Sequence, residues 1–114
     1  MQNHAKVVII GGGVVGCSIL YHLSKFGLKD CILLERNELT SGSSWHAAGN
    51  VHVISSDPNI SRMMAYTIGL YKDIEKESGH SVGFKPSGGF YLASNDVWAD
   101  YLKRERSKAR YMGL

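Results

Sequence analysis

The chain has 114 residues, 44% of them hydrophobic and 20% charged, with a formal net charge of +3. This is the make-up of a globular domain and excludes a disordered chain. No run of about eighteen apolar residues is present, so no membrane helix is expected, and "MQNHAK" running straight into "VVII" leaves no room for a secretory or mitochondrial leader, which predicts a cytoplasmic protein.

Residues 6–10, "KVVII", form a β-branched apolar run that ends in glycines. Such a run predicts a buried parallel strand. Residues 14–26 follow, with Val15, Ile19, Leu23 and Phe26 at helical spacing and Gly27 as a stop signal. "CILLE", residues 31–35, predicts a second buried strand. Strand, helix and strand together have the length of a βαβ crossover. Residues 36–56 have no clear period and read as a turn-rich loop with a short helical piece.

Asp57 and Pro58 then suit the N-cap and first position of a long helix ending at Gly79. Its apolar face is expected at Ile60, Met63, Met64, Thr67, Ile68, Tyr71 and Ile74. "VGF" and "GGFYLAS" predict short strands around "KPSG". Asn95 is placed to cap a last helix running towards Gly113. That helix carries "LKRERSKAR", in which Lys103, Arg104, Arg106, Lys108 and Arg110 point around the axis rather than along one stripe. No aromatic residues are interleaved for base stacking, so a solvated surface is predicted and nucleic acid is not a predicted partner. Cys17 and Cys31 form no CxxC pair, so no metal site is predicted and both are assigned to the core.

"GGGVVG" sets Gly11, Gly13 and Gly16 in the G-x-G-x-x-G pattern. The first glycine permits a sharp turn, the second a close approach to a pyrophosphate, and the third close packing of helix on strand. The N–H groups near Val14 and Val15 open the helix, where the dipole favours an anion. Glu35 ends the second strand nineteen residues beyond Gly16, where a carboxylate would accept hydrogen bonds from a ribose. Alone, the glycines also suit a strand–helix turn with no ligand, and Glu35 a solvated strand end. Their combination in one βαβ unit points to a dinucleotide, and a carboxylate at this position disfavours a 2′-phosphate and so NADP.

The runs "GGGVVGCSILYHLSKFG", "LLERNELTSGSSWHAAGNVH" and "LYKDIEKESGHSVGFKPSGGFYLAS" together resemble the FAD-dependent amine oxidoreductases of the dimethylglycine and sarcosine dehydrogenase family, within the D-amino-acid-oxidase-like flavoproteins. The resemblance spans nearly the whole chain. Leu20 stands where relatives usually carry alanine or glycine facing the first strand. The resemblance implies an α/β fold, the N-terminal βαβ portion of a Rossmann-like FAD-binding domain that is incomplete as given. Residues 1–56 would be the dinucleotide-binding segment with its flavin loop, and residues 57–114 the continuation of the oxidoreductase domain.

It further implies that FAD is held by the glycine turn, by Glu35 and Arg36, and by Gly42, Ser43, Ser44, Trp45, His46, Ala47, Ala48 and Gly49. His46 occupies the position of the family's histidine joined to the flavin 8α-methyl carbon. A neutral imidazole is a nucleophile near neutral pH, the small neighbours leave a wide ring room, and Trp45 could wall it. The implied substrate is an N-methylated amino acid, with tetrahydrofolate a further partner through a later region. No acid–base residue is assigned within the chain. Three alternatives stand beside this reading: a non-catalytic regulatory relative, against which His46 counts, another D-amino-acid-oxidase-like amine oxidase, and a plain NAD-binding module, against which the run after Glu35 counts.

Overall fold

The structure is a computed structural model and describes residues 4–113. The chain divides into two compact units, Met1–Asn50 and Val51–Leu114. The first is built from β1 (Val7–Ile10), α1 (Val14–Lys25) and β2 (Cys31–Leu34). The two strands pair in parallel, with Val7 opposite Cys31 and Ile10 opposite Leu34. Parallel neighbours require a crossover, and α1 provides it, packing on both strands.

The expected βαβ unit is therefore present, with each strand one residue shorter than its apolar run. Helix α1 stops as its last residues dictate. Gly27 adopts a left-handed φ of 85°, and the Leu28 N–H returns to the Leu23 carbonyl at 3.0 Å, the double closure that satisfies a helix's last carbonyls.

The face of α1 differs from the expected one. Val15, Ile19 and Phe26 are exposed, Phe26 at 83%. The covered stripe is Gly16, Leu20 and Leu23, because Gly16 alone lets the helix axis approach the strands and the residues one and two turns further on follow it inward. Leu20 thus lies on the packing side.

The strands are also less covered than a continuous apolar run predicts. Ile9 is buried, which stabilises the unit by roughly 1.5–3 kcal/mol, whereas Val8 and Ile10 are exposed. Within this unit α1 covers one face of the pair. Cys17 and Cys31 are half-buried rather than core. Each thiol donates to a carbonyl at 3.4 Å, Cys17 to Gly12 and Cys31 to Leu28.

The second unit holds α2 (Pro58–Ser78) and α3 (Asp96–Tyr111). The Asp57 carboxylate accepts from the N–H groups of Asn59 at 2.7 Å and Ile60 at 3.1 Å, and Gly79 closes α2 in the left-handed region. The covered face of α2 is set by Ser61, which is fully buried. Its hydroxyl accepts from the Ser55 N–H at 2.9 Å. Met64, Ile68, Tyr71 and Ile74 follow on the covered side as expected, but Ile60 and Met63 are exposed.

Asn95 caps α3 through the Trp98 N–H at 3.0 Å. The basic residues of α3 are exposed, and Lys103 and Lys108 pair with Asp100 and Glu105 one turn back. The strands expected at "VGF" and "GGFYLAS" do not form. A strand needs a ladder partner, and none pairs with these residues among those described. Instead the Val82 N–H bonds the Glu75 carboxylate at 2.9 Å and the Phe84 ring lies 5.8 Å from that of Tyr71. Phe90 and Leu92 beyond them are exposed. No described helix is long and apolar enough to cross a membrane.

Candidate dinucleotide site

The first unit brings three sequence-distant pieces together at the end of β1. The turn at Gly11–Gly13 leaves the strand, Glu35 follows β2, and residues 39–46 form a chain of successive turns. Gly11 has a φ of 104°, which side-chain-bearing residues rarely adopt. A methyl group on Gly16 would overlap the Gly11 carbonyl oxygen. Both glycines are therefore required by the backbone, and the start of α1 comes up bare against the end of the strand.

Glu35 is the hub of the turn. Its Oε2 accepts from the Gly12 N–H at 2.7 Å and its Oε1 from the Asn37 N–H at 2.9 Å. The Gly12 N–H, then the Asn37 N–H, with Arg36 adding its positive charge, hold the carboxyl below the ordinary glutamate range. It is a charged acceptor that keeps further lone pairs, since a carboxylate offers about four acceptor directions. Arg36 itself is exposed.

The turns at 39–46 bind the glycine turn directly. The Thr40 N–H donates to the Gly12 carbonyl at 2.9 Å, and the Val14 N–H, first of the helix, donates to the Ser44 hydroxyl at 2.8 Å. Thr40 has a φ of 65°. A β-branched residue in the left-handed region is an outlier held by its surroundings, at a cost of about 1–3 kcal/mol. Ser44 is half-buried, while Gly42, Ser43, Trp45, His46, Ala47, Ala48 and Gly49 are exposed. The rings of Trp45 and His46 meet edge to face at 5.2 Å.

His46 is oriented by its own turn. Its N–H donates to the Ser43 carbonyl at 3.2 Å and its ring Nδ1 lies 3.1 Å from the Gly42 carbonyl oxygen. A carbonyl only accepts, so this contact is a hydrogen bond in the tautomer that carries its proton on Nδ1, the one whose Nε2 is the acceptor nitrogen.

Sequence reasoning missed Gly12, Leu39 and Thr40. A methyl group on Gly12 would stand 2.5 Å from Leu39 Cδ2 and 3.1 Å from Glu35 Cβ, so the middle position of the motif, free in the general pattern, is closed here by the loop and by Glu35. The run of three glycines was the available signal. Thr40 acts through its backbone and leaves none.

The arrangement suits a dinucleotide chemically. A turn without side chains at a helix start suits a pyrophosphate, an ionised carboxylate suits ribose hydroxyls, and an exposed turn with an imidazole suits a ring system laid against it. Among the described residues no three His, Cys, Asp or Glu side chains group as metal ligands.

Comparison with known proteins agrees in family. The model of the DAO family, FAD dependent oxidoreductase, matches residues 6–113. The chain is 43% identical to human mitochondrial dimethylglycine dehydrogenase over 94% of this chain and 12% of that protein. To human mitochondrial sarcosine dehydrogenase it is 39% identical, over 100% of this chain and 12% of that protein. It spans about an eighth of the length of these curated relatives. The crystal structure of L-proline dehydrogenase from P. horikoshii superposes with a TM-score of 0.88 at 27% identity, covering 99% of this chain and 29% of that one. The chain belongs to the FAD dependent oxidoreductase family, whose cofactor is FAD.

Proposed function

We propose that the protein carrying this chain oxidises an N-methylated amino acid of the dimethylglycine or sarcosine kind, and that this chain holds the FAD. The carrying observation is the closed arrangement of glycine turn, Glu35 and residues 39–46, in a chain 39–43% identical to dehydrogenases of those two substrates. Gly11, Gly13, Val14, Val15 and Gly16 receive the pyrophosphate. Glu35 accepts from the ribose with the lone pairs that Gly12 and Asn37 leave, and Arg36 adds positive charge beside it. Residues Gly42 to Gly49 take the ring system, with Trp45 against it.

Bound FAD would supply the two-electron acceptor for the C–H bond beside the amine nitrogen. Loss of a hydride from that carbon leaves an iminium. Water then adds and releases formaldehyde and the demethylated amine, or the one-carbon unit passes to tetrahydrofolate.

His46 tethers the cofactor through Nε2, the nitrogen left free by the Gly42 contact. Nε2 would supply the nucleophilic lone pair for a bond to the 8α carbon of bound FAD, and the Gly42 carbonyl would hold the ring in place through Nδ1.

The test is anaerobic addition of dimethylglycine or sarcosine to the purified holoprotein. Bleaching of the visible flavin bands by either amine supports the reading. A colourless protein, or bands that no N-methylated amino acid bleaches, overturns it.

A further inference from the structure

Helix α1 opens at Gly13, which has no side chain with which to cap it. The first helix N–H groups need partners from elsewhere. Val14 finds one in the Ser44 hydroxyl, thirty residues further along the chain, at 2.8 Å. The same stretch is held a second time where the Thr40 N–H meets the Gly12 carbonyl. Ser44 and His46 also belong to one local fold. The His46 N–H bonds the Ser43 carbonyl, the His46 ring bonds the Gly42 carbonyl, and the Ala47 N–H bonds Ser44's own carbonyl at 3.4 Å. A displacement of Ser44 is therefore carried into the imidazole by bonds on both sides of it.

We propose that Ser44 is a positioning residue whose hydroxyl clasps the 39–46 turns to the start of α1 and so sets where the His46 ring stands, a role that rests on the reading of His46 as the flavin's point of attachment. The hydroxyl suits this task for a chemical reason. It accepts the Val14 N–H with a lone pair and keeps its own O–H to donate. A hydroxyl already accepting is polarised into a better donor. An alanine would break the clasp and leave the Val14 N–H without its partner. A threonine would keep both functions.

The experiment compares wild type, Ser44→Ala and Ser44→Thr in the protein carrying this chain. One readout is amide hydrogen exchange at Val14, Thr40 and His46 in the apoprotein. The other is the rate at which acid-stable flavin accumulates after saturating FAD is added. Ser44→Ala should lose protection at all three amides and slow attachment, each by about ten-fold, and Ser44→Thr should restore both.

Faster exchange at Val14 alone, with Thr40 and His46 as in wild type, would reduce Ser44 to a helix cap and overturn the proposal. Attachment by Ser44→Ala at the wild-type rate would overturn it too. If wild type itself releases all its flavin into acid, the reading of His46 fails, and the clasp is judged by exchange at Thr40 and His46. Should Ser44→Ala not fold, Ser44→Cys replaces it, because sulfur is a weak acceptor. Intermediate loss supports the clasp, and unchanged exchange at Thr40 and His46 contradicts it.

Discussion

Residues 36–50 and 80–94 are two irregular stretches of equal length, both rich in serine and glycine and both carrying aromatic rings. They behave differently. The first is fastened to the glycine turn by Glu35, Thr40 and Ser44. The second is held at its start by Glu75 and by Tyr71 against Phe84, after which Phe90 and Leu92 stand in solvent. Composition does not separate them. The difference is whether backbone groups of another element are available to bond, and beyond the end of β1 the Gly12 N–H and carbonyl and the Val14 N–H supply them. Order in a loop is conferred by its partners, and here it coincides with the residues proposed to hold the cofactor.

The largest effect expected of breaking the first region is at His46. His46→Ala should abolish acid-stable flavin, with the yellow colour leaving the protein pellet for the supernatant on acid precipitation. Flavin that stays in the pellet of the variant would remove His46 from the linkage.

Next is Gly16. The overlap of an added methyl with the Gly11 carbonyl has no flexible side chain to relieve it. Gly16→Ala should therefore destabilise the protein by about 1–3 kcal/mol, read from denaturant unfolding, and should weaken FAD binding in parallel.

Glu35 gives a smaller, graded effect. Glu35→Ala removes an ionised acceptor and should weaken FAD binding by about ten-fold in titrations of the apoprotein. The pH dependence has a defined sign. The folded carboxyl sits below its ordinary value because Gly12 and Asn37 donate to it. Its contribution is therefore full above the unfolded value of about 4.3 and is lost as the pH falls through the lower folded value. Acid should loosen the 36–46 stretch in wild type, and Glu35→Gln should remove that part of the pH dependence.

The smallest effect belongs to the second region. Glu75→Ala frees Ser81 and Val82 in an exposed setting and should cost less than about 1 kcal/mol, with FAD affinity unchanged. A large loss of affinity would erase the distinction between the two stretches.

What could be read from the sequence follows the same division. The strand–helix–strand unit, the Asp57 and Asn95 caps, and the stops at Gly27 and Gly79 were legible because each is a local signal, written in the residues that execute it. Glycines 11 and 16 were legible because their spacing states a backbone requirement.

The packing faces were not. Helix α1 has more apolar residues than it covers, so Val15, Ile19 and Phe26 imitate a core stripe that Gly16, Leu20 and Leu23 occupy. Helix α2 buries Ser61 in place of Ile60 for a similar reason, because a hydroxyl that bonds Ser55 carries no hydrophobic signature. "GGFYLAS" has strand composition, yet composition cannot name the partner that a strand requires. The clasp made by Gly12, Thr40 and Ser44 was hidden because the Thr40–Gly12 bond uses only backbone and the Val14–Ser44 bond joins residues thirty positions apart.

The most direct test of the claim that the first unit carries the cofactor is hydrogen exchange on the protein carrying this chain, with and without FAD. Slower exchange on binding at residues 11–16 and 35–46, with residues 80–94 unchanged, is the predicted result. Protection that spares the glycine turn and the 39–46 turns, or that falls on 80–94 instead, would contradict it.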